Sequence, residues 1–385
     1  MKDGTQFDEF NRIIDRSGTY SSKWDRYSGS EILPFWVADM DFATPDFIRL
    51  AIQQRLDHPV LGYTRQPTEL NQAFLSWLKR SQNWEAKEEW IVWIPSVVAG
   101  LNIAAKSLAK PNGSIAVPTP IYYPFLDVPR NAGQQAKRIP LVKSNNKWVM
   151  DFDRLEKACD KNTSLLLLCN PQNPTGRMYS RDELDQLAEF CIDHNIHLCS
   201  DEIHCSLQLD PNLDHTSIAS LDDVIGQKTI TLFSITKTYN IPGLSAAVAV
   251  IPNDVIRNNF ITTQRGLSTD MGPLTLAANL SALNDESEWV PSLLQYLRNN
   301  HKLVLETLGQ RMTPVEGTYL AWIDLQDLNL KQPARTLEKY GIGLSEGEAF
   351  GSPGYVRFNF ACPKPILVEG LSRLANALAE LERRL

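Results

Sequence analysis

Short unbroken apolar blocks recur through the middle of this chain. Longer stretches separate them, with apolar positions spaced three and four residues apart. The blocks Ile91–Ile94, Ser114–Val117, Leu165–Cys169, His197–Ser200, Thr229–Phe233 and Ala246–Val250 have the length and character of strands buried on both faces. The intervening Gly100–Ala109, Asp151–Cys159 and Arg181–His194 have helical spacing. Ser180 followed by Glu183 forms a capping-box pattern at the start of the last of these. Strands alternating with helices predict an α/β domain with a mostly parallel sheet, whose ligands bind beyond the carboxyl ends of the strands.

After residue 285 the pattern changes. Glu286–Gln310 and Pro365–Leu385 read as helices, with strand-like Thr318–Asp324 and Tyr355–Phe360 between them. This α+β arrangement predicts a smaller domain from residues 286–385, joined by the turn-rich residues 1–44. Residues 45–285 then form the large domain. The length of 385 residues agrees with two domains, because a single core stops growing near ~250–300 residues.

Composition narrows the function classes. With 43% hydrophobic and 22% charged residues the chain is an ordinary globular one. A net charge of −7 gives no general attraction to nucleic acid or to an anionic membrane. The polar, acidic Met1–Phe10 lacks the features of a signal peptide, and no apolar run approaches the ~20 residues of a membrane span. A cytoplasmic location is expected. The cysteines Cys159, Cys169, Cys191, Cys199, Cys205 and Cys362 form no C-x-x-C pair or disulfide framework. Cys205 adjoins the candidate site described next, and packing is the favoured reading over catalysis. His58, His194, His197, His204, His215 and His301 show no ligand spacing, so no metal is expected.

Four segments that follow predicted strands carry candidate chemistry. Ser234-Ile235-Thr236-Lys237-Thr238-Tyr239-Asn240 places a lysine among small hydroxyl residues. A lysine in a partly desolvated site can be neutral and nucleophilic, and nearby hydroxyls can bind phosphate. A surface lysine gives the same local pattern. Ser200-Asp201-Glu202-Ile203-His204 places a carboxylate where it can hold a pyridinium nitrogen protonated; a turn-capping aspartate is the alternative. Asn170-Pro171-Gln172-Asn173-Pro174-Thr175-Gly176 is a rigid turn on any reading, and Asn173-Pro174 is a candidate cis bond. Ser96-Val97-Val98-Ala99-Gly100 opens a helix whose first amides suit a phosphate. Tyr122, in Pro120-Ile121-Tyr122-Tyr123-Pro124, is either a ring-stacking aromatic or a structural tyrosine.

In this order and spacing the segments resemble the fold-type-I pyridoxal-5′-phosphate (PLP) enzymes of the aminotransferase class I/II superfamily, from about Phe35 to Pro363. The subgroup that they resemble is the cystathionine β-lyase family of the MalY/PatB type. That likeness rests on Phe35-Trp36-Val37-Ala38-Asp39-Met40-Asp41-Phe42, Asp201-Glu202-Ile203-His204, Thr236-Lys237-Thr238-Tyr239-Asn240 and Val356-Arg357-Phe358-Asn359-Phe360-Ala361. The resemblance implies a PLP-dependent transferase-like fold, with a mixed, mainly parallel seven-stranded sheet flanked by helices. It also implies a homodimer with shared active sites. Lys237 would hold PLP as a Schiff base. Asp201 would pair with the pyridine nitrogen, Asn173 would contact the phenolic oxygen, and His204 sits where most aminotransferases place a tyrosine. Tyr122 would stack on the ring. Ser234 and the Val97 and Val98 amides would hold the phosphate, joined by Tyr63 reaching into the neighbouring subunit. Arg357 would bind the substrate carboxylate as a bidentate fork, with Ala38 and Asn173 beside it.

Two positions depart from the usual aminotransferase pattern. Ser245 stands where those enzymes carry a phosphate-binding arginine, and His204 replaces the tyrosine. Both departures are shared with the β-lyase subgroup, so the resemblance favours α,β-elimination from an S-substituted cysteine. Lys237 is the expected base and Tyr123 the expected donor to the departing sulfur, with the neighbouring subunit's Tyr63 as second candidate. An aminotransferase is the alternative enzyme. A PLP-containing regulator that binds a transcription activator is the alternative from another class.

Overall fold

The computed structural model describes residues 9–384. The reading of Met1–Phe10 as polar rather than a leader therefore falls mostly on residues outside the described ones, as does Leu385. Seven strands form the central sheet: β1 (Ile91–Ile94), β2 (Ser114–Thr119), β3 (Gln135–Pro140), β4 (Thr163–Cys169), β5 (His197–Asp201), β6 (Thr229–Phe233) and β7 (Ala247–Val250). Their order is β1-β7-β6-β5-β4-β2-β3. Only β7 runs antiparallel to its neighbours, pairing Val248 with Phe233 on one side and with Trp93 on the other. This is the mixed, mainly parallel sheet that the resemblance implies.

The apolar blocks become strands because both faces of the sheet are covered. Every residue of β2, β4, β6 and β7 is buried. Each buried leucine of the run Leu165–Leu168 contributes roughly 1.5–3 kcal/mol of transfer free energy, which outweighs any local preference of leucine for helix. The edge strand β3 is absent from the sequence reading. Its sequence Gln-Ala-Lys-Arg-Ile-Pro buries only Ile139, as suits a polar sheet edge that discourages pairing with another chain.

Helix α1 (Val97–Ser107) begins three residues before the spacing predicts, because the Ser96 side chain caps it by accepting from the Ala99 amide at 3.1 Å. Gly100 seats this helix on the sheet. A Cβ there would lie 2.5 Å from Ile94 Cδ1 and 3.0 Å from Leu232 Cδ2. Helix α2 (Arg181–Asp193) carries the predicted capping box between Ser180 and Glu183.

A second, three-stranded sheet places β10 (Tyr355–Asn359) between β8 (Leu320–Asp324) and β9 (Ser345–Glu346). Helices α3 (Trp289–Leu308) and α4 (Lys364–Glu382) pack together beside it. The early residues Leu33–Pro34 pair in parallel with Ile342–Gly343, which carries the N-terminal segment across to this region. No described helix is long and apolar enough to cross a membrane.

Candidate active site

The parallel strands β1, β4, β5 and β6 end along one edge of the central sheet, where β7 begins. The four motif segments meet there around a cavity of about 150 Å³. Its walls include Ala38, Val97, Val98, Tyr122, Asn173, Asp201, His204, Ser234 and Lys237, all singled out in the sequence. Ser96, Cys169, Ile203, Thr236, Pro242 and Ser245 complete it.

Lys237 follows β6, and its Nζ donates to the Ala38 carbonyl at 2.6 Å. Burial is the main cause that lowers its pKa to about 8, with the Arg357 cation adding to it; Asp39 and Asp201 act in the opposite direction. The amine therefore becomes neutral, and nucleophilic, far below the usual lysine range. Asp201 ends β5 and is buried. Its Oδ1 accepts from the Ile203 amide at 3.0 Å, and burial pushes its pKa up to about 7. A carboxyl held in so dry a place gains most from a cationic partner.

Asn173 lies in the turn after β4, where the Asn173-Pro174 bond is cis as expected; Thr119-Pro120 and Asn170-Pro171 are cis too. Arg357 reaches it from β10, donating from NH1 to Asn173 Oδ1 at 3.0 Å. A guanidinium only donates, so this bond fixes the amide orientation and leaves the Asn173 Nδ2 donor available. Arg357 is itself buried. NH2 donates to the Trp36 carbonyl at 2.7 Å, and Nε has no partner. Burial lowers its pKa to about 10, which still leaves it charged at neutral pH. A buried cation with an unused donor is a site prepared for an anion.

His204 is also buried, and its Nδ1 has no partner. Burial and the nearby Lys237 and Arg357 cations hold its pKa well below the usual histidine range, so the ring is neutral. At the opposite end of the cavity Ser234 Oγ bonds the Thr236 hydroxyl at 2.8 Å and the Ala246 carbonyl at 2.7 Å. The first-turn amides of α1 adjoin it, and amides in that position have no partner four residues back. Ser245 donates to the Pro95 carbonyl at 2.7 Å, so this wall carries hydroxyls and amides and no guanidinium.

Three predicted residues do not line the cavity: Arg357 bonds the lining Asn173, while Tyr123 and Tyr63 are exposed. Tyr123 is 48% exposed, with its ring 4.8 Å from Tyr122 and 6.0 Å from Phe350. Tyr63 is fully exposed and lines a different, solvent-open cleft of about 450 Å³ with Arg65, Gln264 and Asp270. A single chain does not bring Tyr63 to Lys237. Cys205 is buried and its thiol pKa is pushed up by burial, as packing requires. Among the described residues no cluster of histidine, cysteine and carboxylate side chains could hold a metal.

The sequence reading missed Tyr319. It is fully buried, its ring stands edge-on to His204 at 5.9 Å, and its hydroxyl donates to the Ala38 carbonyl at 3.0 Å. The one available signal was Thr318-Tyr319 at the start of a predicted strand, which nothing local distinguishes from core.

Known proteins resemble this chain over nearly its whole length. PatB of Bacillus subtilis, named a cystathionine beta-lyase, is 33% identical, over 96% of this chain and 100% of that one. The crystal structure of OvoB superimposes with a TM-score of 0.93 at 39% identity, covering 96% of this chain and 98% of that one. Cystalysin from Treponema denticola, whose crystal structure contains pyridoxal 5′-phosphate, gives a TM-score of 0.91 at 31% identity over 97% and 99% of the two chains. The sequence profile described as aminotransferase class I and II matches residues 30–374, and this chain belongs to that family.

Proposed function

We propose that this protein is a PLP-dependent carbon–sulfur β-lyase, which cleaves L-cystathionine or a related S-substituted cysteine to a thiol, pyruvate and ammonia. The observation that carries the reading is the convergence of Lys237, Asp201, Asn173, Ser234 and the first amides of α1 on one cavity, with the unpartnered Nε of Arg357 beside Asn173. Each has the polarity of one part of PLP or of an amino acid. The name of PatB, a cystathionine beta-lyase, supports the chemistry, and the pyridoxal 5′-phosphate in cystalysin supports the cofactor.

The residues fit the cofactor. Lys237 would hold its aldehyde carbon, Asp201 its ring nitrogen and the Asn173 amide its phenolic oxygen, with His204 nearby. Tyr122 would lie on the ring. Ser234 and the Val97 and Val98 amides would hold its phosphate. When bound, PLP supplies an electron sink for negative charge developing at the substrate Cα. Asp201 becomes anionic once a pyridinium stands against it, and so keeps that sink effective. Arg357, using the free Nε, binds the substrate carboxylate beside Ala38 and Asn173. This orients the Cα–H bond toward Lys237, whose amine, free once the substrate amine has taken its place on the aldehyde carbon, would remove the proton. Tyr123 protonates the departing sulfur. The three-carbon remainder is hydrolysed to pyruvate and ammonia.

The active unit is read as a homodimer in which Tyr63 completes the partner's phosphate site. Its full exposure beside Val60 and Leu61, 62% and 55% exposed, supports this. Residues 45–285 are read as the large domain, with 1–44 and 286–385 forming the smaller one, and the cytoplasm as its location.

The test mixes PLP-loaded protein with L-cystathionine and no keto acid, following pyruvate and the visible spectrum. A cofactor band with catalytic pyruvate is expected. A band without pyruvate, and with turnover only on adding a keto acid, would instead establish an aminotransferase.

A further inference from the structure

The segment leading into Asp41 lends Ala38 to the wall of the cavity, and side chains from other parts of the chain capture its carbonyls in turn. Asn359 Nδ2 donates to the carbonyls of Val37 and Asp39 at 2.5 and 2.6 Å. The Ala38 carbonyl between them is thus fixed from both sides. It accepts two bonds, from Lys237 Nζ and from the Tyr319 hydroxyl.

A carbonyl has two lone pairs, and here each has one donor. Tyr319 is held to this task by its backbone. Thr318 has φ +79°, a left-handed conformation that a β-branched residue rarely adopts. Its amide donates to the Leu207 carbonyl at 3.0 Å and its hydroxyl accepts from the Leu320 amide at 3.2 Å. Such strain persists only where surrounding contacts fix it, and it gathers at functional sites. Here its effect is to direct the next side chain, Tyr319, at Ala38.

We propose that the Ala38 carbonyl, backed by the Tyr319 hydroxyl, is the docking point of the Lys237 amine whenever that amine is not covalently engaged, so that Tyr319 is a positioning residue for the base. The inference rests on the cofactor reading of Lys237. A neutral amine has two N–H groups and one lone pair. Donating one N–H to a fixed acceptor restricts where the lone pair points, and a proton at Cα must be met by that lone pair. The Tyr319 hydroxyl occupies the other side of the carbonyl and prevents the amine from swinging there. Burial raises the phenol pKa, so the hydroxyl keeps its proton throughout. The Tyr319 hydroxyl bonds the Ala38 carbonyl and none of the side chains assigned to the cofactor or the substrate carboxylate, so its removal acts on the proton-transfer and lysine-return steps rather than on substrate binding.

The test is Tyr319→Phe in the PLP-loaded enzyme with L-cystathionine. The expected result is a kcat lower by about tenfold, the scale of one neutral hydrogen bond, with KM changed by less than about twofold. After a single turnover, the resting absorbance band should return more slowly by the same factor. Wild-type kcat and band return in Tyr319→Phe would overturn the proposal, as would losses that only track a lower thermal midpoint or cofactor content. Should that variant not fold, a crystal structure of the wild type with N-(5′-phosphopyridoxyl)-L-alanine, which leaves Lys237 free, decides the matter. Nζ within about 3 Å of the Ala38 oxygen supports the proposal and Nζ elsewhere overturns it. A wild type that never shows a cofactor band would sink the cofactor reading itself, a failure distinct from either of these.

Discussion

Arg357→Lys isolates the claim that a planar, two-pronged cation receives the substrate. In the structure NH1 and NH2 are committed to Asn173 Oδ1 and the Trp36 carbonyl, while Nε is buried without a partner. A substrate carboxylate would gain a bond from Nε and a second from a terminal nitrogen released by Trp36. Lysine keeps the charge but has a single nitrogen, so it loses one charge-assisted bond and must abandon Asn173 or Trp36. One such bond is worth about 1.5–3 kcal/mol, or roughly 10- to 150-fold in kcat/KM. Because the carboxylate is bound in ground and transition states alike, most of the loss belongs in KM. The assay measures initial rates of pyruvate release across L-cystathionine concentrations. Inhibition by L-alanine and by ethylamine, which lacks a carboxylate, provides the control. L-Alanine inhibition should weaken with KM and ethylamine inhibition should not. If KM and L-alanine inhibition both stay within twofold of wild type, Arg357 is not the carboxylate site.

Other perturbations probe the remaining parts. Uptake of PLP by the cofactor-free protein should accelerate as pH rises through about 8, where Lys237 becomes neutral; a pH-independent rate between 7 and 9 would contradict that assignment. Burial raises the pKa of Asp201 to about 7 and of Glu202 to about 8, above their ordinary 3.8 and 4.5, so the folded state keeps protons that the unfolded state has lost. The stability they contribute is present at low pH and lost as pH rises through 7 and 8. His197, His204, His215 and His301, all lowered by burial, act in the opposite sense, but chiefly below 6.5, and Lys237 is relieved only above about 8. The Tm of the cofactor-free protein should therefore fall between pH 6.5 and 8, and a flat or rising Tm counts against these buried carboxyls. Glu316→Gln removes a buried partner of Arg177, which also bonds Glu183, and should cost roughly 3 kcal/mol in a denaturant titration. Lys237→Ala and Tyr63→Phe should each be severely impaired alone. If subunits share sites, re-equilibrated mixtures should regain up to about a quarter of wild-type activity, from hybrids with one intact site, and no recovery would place Tyr63 outside the neighbouring site.

The sheet was legible in the sequence because its strands are buried on both faces, and an unbroken apolar run such as Leu165–Cys169 admits few other readings at that length. Strand β3 was not, since a polar edge strand is held by backbone bonds to β2 and carries no alternation. The cavity residues were legible for a different reason. All but Ala38 end or follow a strand of the central sheet, and a parallel sheet gathers its strand ends along one edge, so chain order alone brings Asn173, Asp201 and Lys237 together. Tyr319 immediately precedes β8, and Arg357, which partners Asn173, lies in β10, both in a second sheet region. No sequence spacing encodes how two sheets face one another, so motif reading named Arg357 only through resemblance and missed Tyr319 altogether.

The segment Trp36–Phe42 shows why the two sheets must be considered together. It belongs to neither, and its polar backbone would be costly to bury without partners. Arg357 takes the Trp36 carbonyl, Asn359 those of Val37 and Asp39, and Tyr319 that of Ala38, all from the C-terminal region. Lys237 also takes Ala38, and Asn240 takes Met40 and Phe42, from the loop after β6. Two of these donors, Lys237 and Arg357, are the groups that an arriving amino acid would engage. On the proposed roles, substrate binding would compete with the bonds that hold this segment: a carboxylate would draw Arg357 from Trp36, while the freed amine of Lys237 would hold Ala38. The residues proposed to bind and deprotonate the substrate would thus set how tightly this segment is held, which would link occupancy of the site to the packing of the two regions without any additional device.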